Sequence, residues 1–191
     1  MNPRRTLPVA IVSAVGAVLV WALWALPVAD SLAGATPAAL AEPVTVRLDA
    51  GARAGVWMDS PATAFETYEC AVTDAAGAVV PMSRPPALEW SDVLWWASER
   101  PTFTQVLGFQ APKAGAYVVR CSERTGWYDG EILVAGDSFG DGSIGLGRNG
   151  GSDYAVGTIL AFCAVVLPLL AALLLVASAV AAVVRASRRS V

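Results

Sequence analysis

Residues 65–82 read FETYECAVTDAAGAVVPM, and the period of their apolar positions decides the fold class. Tyr68, Cys70 and Val72 share one face of an extended chain, with Glu66, Glu69 and Thr73 among the polar positions. Successive strand side chains point to opposite faces, so this alternation marks a half-buried strand. Asp74-Ala75-Ala76-Gly77 then predicts a hairpin-type loop, with Gly77 placed to take the positive φ that a Cβ disfavours. Residues 78–82 return, and Pro81, with no N–H for a ladder, puts that strand at a sheet edge.

Outward from this hairpin the same period recurs. Val44, Val46 and Leu48 alternate with Thr45, Arg47 and Asp49; residues 51–55 turn the chain, and Val56-Trp57-Met58 forms a short strand. Further strands are expected at 103–110, at 116–122 with Tyr117, Val119 and Cys121 on one face, and at 131–134. Six or seven short strands at regular spacing predict an all-β sandwich, here over residues 43–136.

Cys70 and Cys121 each lie in a strand beside apolar or aromatic residues two positions away, so both thiols point inward. The inner faces of a sandwich are about 10 Å apart, and a disulfide needs Cα atoms within about 7 Å. A Cys70–Cys121 bridge therefore predicts a local approach of the two strands. Pairing is the default in an oxidising compartment, and no CxxC spacing suggests a redox role.

Residues 83–101 break the alternation. Pro85-Pro86 opens the segment and Pro101 closes it, and between them Trp90, Val93, Leu94 and Ala97 recur at i, i+3, i+4, i+7. That spacing predicts one or two helical turns with Trp90, Val93 and Leu94 on the buried side. Trp95 and Trp96 are adjacent and cannot both face one core. Trp90, Trp95 and Trp96 are the candidate contact surface, for lipid or a protein partner; the plainer reading has all three capping the open end of the sandwich.

Apolar runs flank this domain at 7–28 and 154–184. The first, at about 1.5 Å per residue, covers the roughly 30 Å of bilayer hydrocarbon. Its length favours an uncleaved anchor, with a signal peptide cleaved at Ala33-Gly34-Ala35 or Ala39-Leu40-Ala41 as the alternative. Pro168 is expected to kink the second run. Residues 29–42 read as a tether. Residues 137–153, six of them Gly, read as a flexible linker that lets the domain stand off the membrane. Five Arg sit in the head (1–6) and tail (185–191), while the middle carries eight basic and all sixteen acidic residues, 8 − 16 = −8. Short Arg-rich flanks stay cytoplasmic. The expectation is a two-span plasma-membrane protein with both termini inside and the central domain outside.

The same composition excludes several functions. There is no His, which removes imidazole bases and ligands. The basic residues are scattered and the pI is about 4.9, against a nucleic-acid footprint. Gly145-Leu-Gly147-Arg-Asn-Gly150 matches GxGxxG but follows no strand of a βαβ unit, and Asp137, Asp141 and Asp153 match no Ca²⁺-loop spacing. The carboxylate pairs Glu66/Glu69, Glu89/Asp92 and Asp129/Glu131 fit exposed strand and loop faces. The one Lys, Lys113, lies in the turn APKAG. No catalytic, cofactor or metal site is expected.

The segment AGAYVVRCS (114–122), after a strand ending in Ala111-Pro112, resembles the penultimate strand of immunoglobulin-like sandwiches, where a Tyr and the second Cys share a face. Here Tyr117 precedes Cys121 by four positions where that family has two, and Trp57 precedes Cys70 where the family's core Trp follows the first Cys. The whole layout is similar to small, mostly uncharacterised two-span membrane proteins of high-GC Gram-positive bacteria, which place an outer β-sandwich between two hydrophobic segments. The likeness is architectural and brings no site residues with it. The expected role is non-enzymatic, a binding or accessory protein of the cell envelope. The alternative is a membrane-complex subunit that acts through its helices, with the domain as a cap.

Overall fold

A computed structural model describes residues 3–86, 88–140, 143–145 and 153–187. Two long helical rods bracket the chain. The first is α1 (Pro3–Val20), which passes through a π turn (Trp21–Ala25) into α2 (Leu26–Gly34). The last is α5 (Val156–Ser187), continuous through Pro168. The π turn, closed by the Leu26 N–H on the Trp21 carbonyl, falls just ahead of Pro27. A proline ring crowds the carbonyl four residues back and its nitrogen donates nothing, so a widened turn fits there.

Both rods are long and apolar enough to cross a membrane. They pack along each other through small residues. Ala10, Ser13 and Ala17 of the first and Ala161, Ala164 and Ala171 of the second are buried, and a Cβ on Gly16 would stand 3.1 Å from Leu167. Small side chains let two helix backbones approach closely.

Between the rods lie β1 (Ala38–Ala39), β2 (Val44–Leu48), β3 (Arg53–Asp59), β4 (Tyr68–Asp74), β5 (Met82–Ser83), β6 (Thr104–Gln110), β7 (Gly115–Glu123) and β8 (Glu131–Ala135). They form two antiparallel sheets, one ordered β1-β8-β3-β6-β5 and one ordered β2-β7-β4. Helix α3 (Ala62–Phe65) follows β3, and α4 (Trp90–Leu94) with a 3₁₀ turn (Trp95–Ala97) precedes β6. Strands β9 (Ser143–Gly145) and β10 (Asp153–Ala155) pair ahead of α5. The expected 65–82 hairpin is present in part: β4 starts at Tyr68, after a helical turn that takes up Phe65, and the return is a single bridge of Val79 to Thr73 in place of a strand over 78–82. Gly77 has φ +82°, Asp74 Oδ1 accepts the Ala76 and Ala78 amides, and Val80 N–H bonds back to Val72. Beyond Pro81 the chain changes sheets, and β5 becomes the edge of the larger one.

The larger sheet is buried on both faces. Ala54, Val56, Met58 and Ile132 face the smaller sheet and meet Val72, Tyr117, Val119 and Cys121 in one core. Trp57 and Leu133, the alternate positions, face the other way into a second core with Trp24, Ala25, Val28, Ala29, Leu32, Trp90 and Ala161. The result is three layers: small sheet, large sheet and helices.

Three expectations change accordingly. The chain is a mixed α/β arrangement whose helices form a layer of the fold, because Trp57 and Leu133 need a cover that the strands do not supply. Residues 29–34, read as tether, continue the first helix, and Ala38–Ala39 then joins the large sheet beside β8. The segment from Asp137, read as free linker, is bound to the sheet: Asp137 accepts from Arg53 Nε and Gln105 Nε2, both at 2.7 Å, and Gln105 Oε1 accepts from Ser138.

The Cys70–Cys121 disulfide is present, but it joins directly opposed residues of neighbouring strands β4 and β7, with Cα atoms 4.0 Å apart. No approach across the core is needed, since both cysteines belong to the smaller sheet. Tyr117, buried in the same core, donates its hydroxyl to the Lys113 carbonyl at 2.6 Å. It thereby fastens the turn that enters β7.

Candidate functional site

The segment between β5 and β6 reaches both rods. α4 begins at a reciprocal cap: the Glu89 carboxylate accepts the Asp92 N–H, and Asp92 Oδ2 accepts the Glu89 N–H at 2.8 Å. Burial pushes the Glu89 carboxyl up to about 7; the Asp92 charge adds to this and a hydrogen bond from Ser91 opposes it. The segment is held by its backbone as well. Thr158 of α5 donates to the Leu88 carbonyl at 3.0 Å, and Arg100 donates to the Ala35 carbonyl at the end of α2 at 2.9 Å.

The three candidate tryptophans part company here. Trp90 is 1% exposed, edge-on to Trp57 with centroids 6.0 Å apart, and belongs to the second core. It leaves the contact surface for the reason its i, i+3, i+4 spacing implied. Trp95 and Trp96 are 53% and 59% exposed. Trp96 Nε1 donates to the Val93 carbonyl at 3.1 Å, and its ring lies 5.4 Å from that of Trp21 on the first rod. Trp21 in turn donates to the Ala164 carbonyl of the second rod at 2.9 Å. One aromatic contact thus ties the segment between β5 and β6 to both helices at a single level.

Further joints lock the rods to the large sheet. Trp57 Nε1 donates to the Gly136 carbonyl at 3.1 Å, and Ser31 Oγ accepts the Gly136 N–H at 2.9 Å. At the start of α5, Gly157 N–H bonds to the Phe139 carbonyl at 2.7 Å. A Cβ on Gly157 would fall 2.3 Å from the Ser138 carbonyl oxygen, so only glycine allows this approach. These joints were not read from the sequence. The hint was the unbroken apolar runs Val56-Trp57-Met58 and Ile132-Leu133-Val134, the mark of a strand covered on both faces.

A groove of about 630 Å³ opens at the β5 edge, lined by Arg53, Met82, Arg84, Phe109, Gln110 and Phe139 among others. Arg53 is held by Asp137; Arg84 is exposed. Among the described residues no group of three Cys, Asp or Glu side chains comes together that could hold a metal ion. The arrangement is suited to holding and contacting, with an exposed aromatic pair beside the helices and a partly apolar groove beside them. No family model, curated protein or solved structure matches the chain.

Proposed function

We propose that this chain is a two-span protein of the plasma membrane, with both termini cytoplasmic, whose outer β domain serves as a non-enzymatic binding or accessory module of the cell envelope. The observation that supports this reading is the second core. Trp24 and Ala161 of the rods pack with Trp57 and Leu133 of the domain, so the domain is seated on its spans and presents its exposed faces at a fixed height. The Arg flanks and acidic middle support the orientation, and the disulfide fits an oxidising outer compartment. A two-sheet sandwich of immunoglobulin-like kind, as in small envelope proteins of high-GC Gram-positive bacteria, is the architectural setting we favour.

Photo-crosslinkers placed in whole cells test it. Positions Arg84 at the groove and Val79 on the hairpin report on the domain; Leu169 and Leu173, exposed on α5, report on the spans. A discrete protein adduct from position 84, or from Val79 and then lost when Arg84 is replaced by Glu, carries the reading. Adducts confined to Leu169 and Leu173 carry the second one, a complex subunit working through its helices, which the long exposed apolar faces of both rods favour.

A further inference from the structure

The exposed apolar side chains of the two rods define a band. On the first rod it runs from Leu7 to Leu26 and on the second from Phe162 to Val184. At 1.5 Å per residue these bands are about 29 Å and 33 Å long, the thickness of a bilayer's hydrocarbon. Asp30, one turn past Leu26, marks where the first rod leaves it.

Trp21 lies five residues inside the domain-side edge of the first band, a depth of about 7 Å. Ala164, its hydrogen-bond partner, lies two residues inside the edge of the second, about 3 Å. Trp96 sits against Trp21 and so shares that depth. The chain then climbs away from it: Arg100 reaches the Ala35 carbonyl, fourteen residues and about 21 Å farther along the rod than Trp21. The segment between β5 and β6 therefore dips from the sheet edge to the level of the band and returns. At its lowest point it carries two half-exposed indoles, the side chain that favours the boundary between hydrocarbon and headgroups.

We infer that the 95–97 turn is a lipid-inserted wedge, with Trp95 and Trp96 seated in the outer boundary of the bilayer, so that the outer domain touches lipid directly as well as through its spans. The occupant of this surface is lipid because Trp96 packs on Trp21 inside the exposed apolar band of the first rod, with the exposed Val18 one turn from Trp21 on the same helix face. A protein partner would have to displace lipid from the rods to reach it. The wedge deepens the two-span reading and rests on it.

The test uses the full chain in vesicles of phosphatidylcholine and phosphatidylglycerol. The free Cys163 is replaced by Ala, the Cys70–Cys121 bridge is kept, and one fluorophore is attached through Trp95→Cys, Trp96→Cys, Trp127→Cys or Leu173→Cys. Trp127, 84% exposed, precedes β8 on the side away from the spans: Gly136 just past the strand's other end meets Ser31, whereas its first residues pair with β1. Labels at 95 and 96 are expected to be quenched by lipids carrying a nitroxide high on the acyl chain and shielded from aqueous iodide. The label at 127 should show the reverse, and that at 173 should answer to lipid alone. If 173 answers to lipid while 95 and 96 answer only to iodide, the wedge is wrong and the spans stand. If 173 does not answer to lipid, the two-span reading itself falls. Shielding of 95 and 96 from both quenchers at every protein-to-lipid ratio means that protein, such as a second copy, covers the pair, and also overturns the wedge.

Discussion

The two cores of this molecule are built by opposite means. The core between the sheets comes from strands whose apolar residues alternate, and its members lie mostly within 54–132. A disulfide crosses two of its neighbouring strands and Tyr117 pins one of its turns. The core between the large sheet and the rods draws on four distant parts of the chain, around Trp24, Trp57, Trp90 and Ala161. It has no covalent link and rests on aromatic packing. The first core makes the domain stable; the second makes the domain and the two rods one body. β3 and β8 serve both, since alternate residues of each strand point to different cores.

The largest break in that comparison should come from Trp57→Ala. Trp57 is fully buried, packs edge-on to Trp90 and bonds to Gly136. Truncating a buried Trp costs up to about 5 kcal/mol. In detergent the thermal midpoint should fall steeply, and limited proteolysis should cut between residues 34 and 38, where the domain would come free of α2. Removing the disulfide with Cys70→Ser and Cys121→Ser strikes the other core. It frees a loop with a sequence separation of 51 residues, worth about 4 kcal/mol on the chain-entropy account. Here the midpoint should also fall, yet the 34–38 segment should stay protected at temperatures below it. Equal protection in both variants would show that the two cores are not separable.

How much of this was legible in the sequence follows from the same division. The strands, the 74–77 turn, the cysteine pair and the burial of Trp90 could be read because each depends on neighbours a few residues away. The second core could not. Trp24 lay inside a segment read as a membrane span, where apolar residues need no protein partner to explain them. Asp137 and Ser138 stood at the head of a Gly-rich run, and composition does not show that Gln105, 32 and 33 residues earlier, holds both. The neighbouring-strand placement of the cysteines was also hidden: an inward-facing pair is compatible with one sheet or two, and only the β4–β7 register decides.

Glu89 offers a way to tune the second core with pH. Its folded carboxyl keeps its proton up to about 7, against 4.5 for the ordinary group. Between those values the native state binds more protons than the unfolded chain, so stability is fully present below pH 4.5 and falls as pH rises towards 7. With partial exposure allowed for, the loss should be about 2 to 3 kcal/mol. Glu89→Gln keeps an oxygen for the Asp92 amide and cannot ionise. Its midpoint should be nearly flat over this range and higher than the parent's at about pH 8. The titratable groups coupled to Glu89 are Asp92 on its own helix and Tyr68 of β4. A parent whose midpoint rises through the window would reverse the sign and remove this explanation.

The smallest effect is the sharpest test of what the buried tryptophans do. Three indoles meet in the second core, and they differ in one respect. Trp57 Nε1 has an acceptor in Gly136, whereas among the described residues Trp24 Nε1 and Trp90 Nε1 are buried with none. A buried hydrogen bond contributes roughly 1 kcal/mol net, while an unpaired buried donor costs about 1 to 3 kcal/mol. Replacing each Trp by Phe removes the N–H and part of the ring. At Trp57 the lost bond and the lost packing add, and the Gly136 carbonyl is left short of a donor. At Trp90 the relief of the orphan N–H offsets the lost packing. Trp57→Phe should therefore lower the midpoint more than Trp90→Phe, by about 1 kcal/mol or somewhat more on conversion. Equal losses at both positions would mean that the Trp57–Gly136 bond adds nothing to the joint, and that ring volume alone seats the domain on its helices.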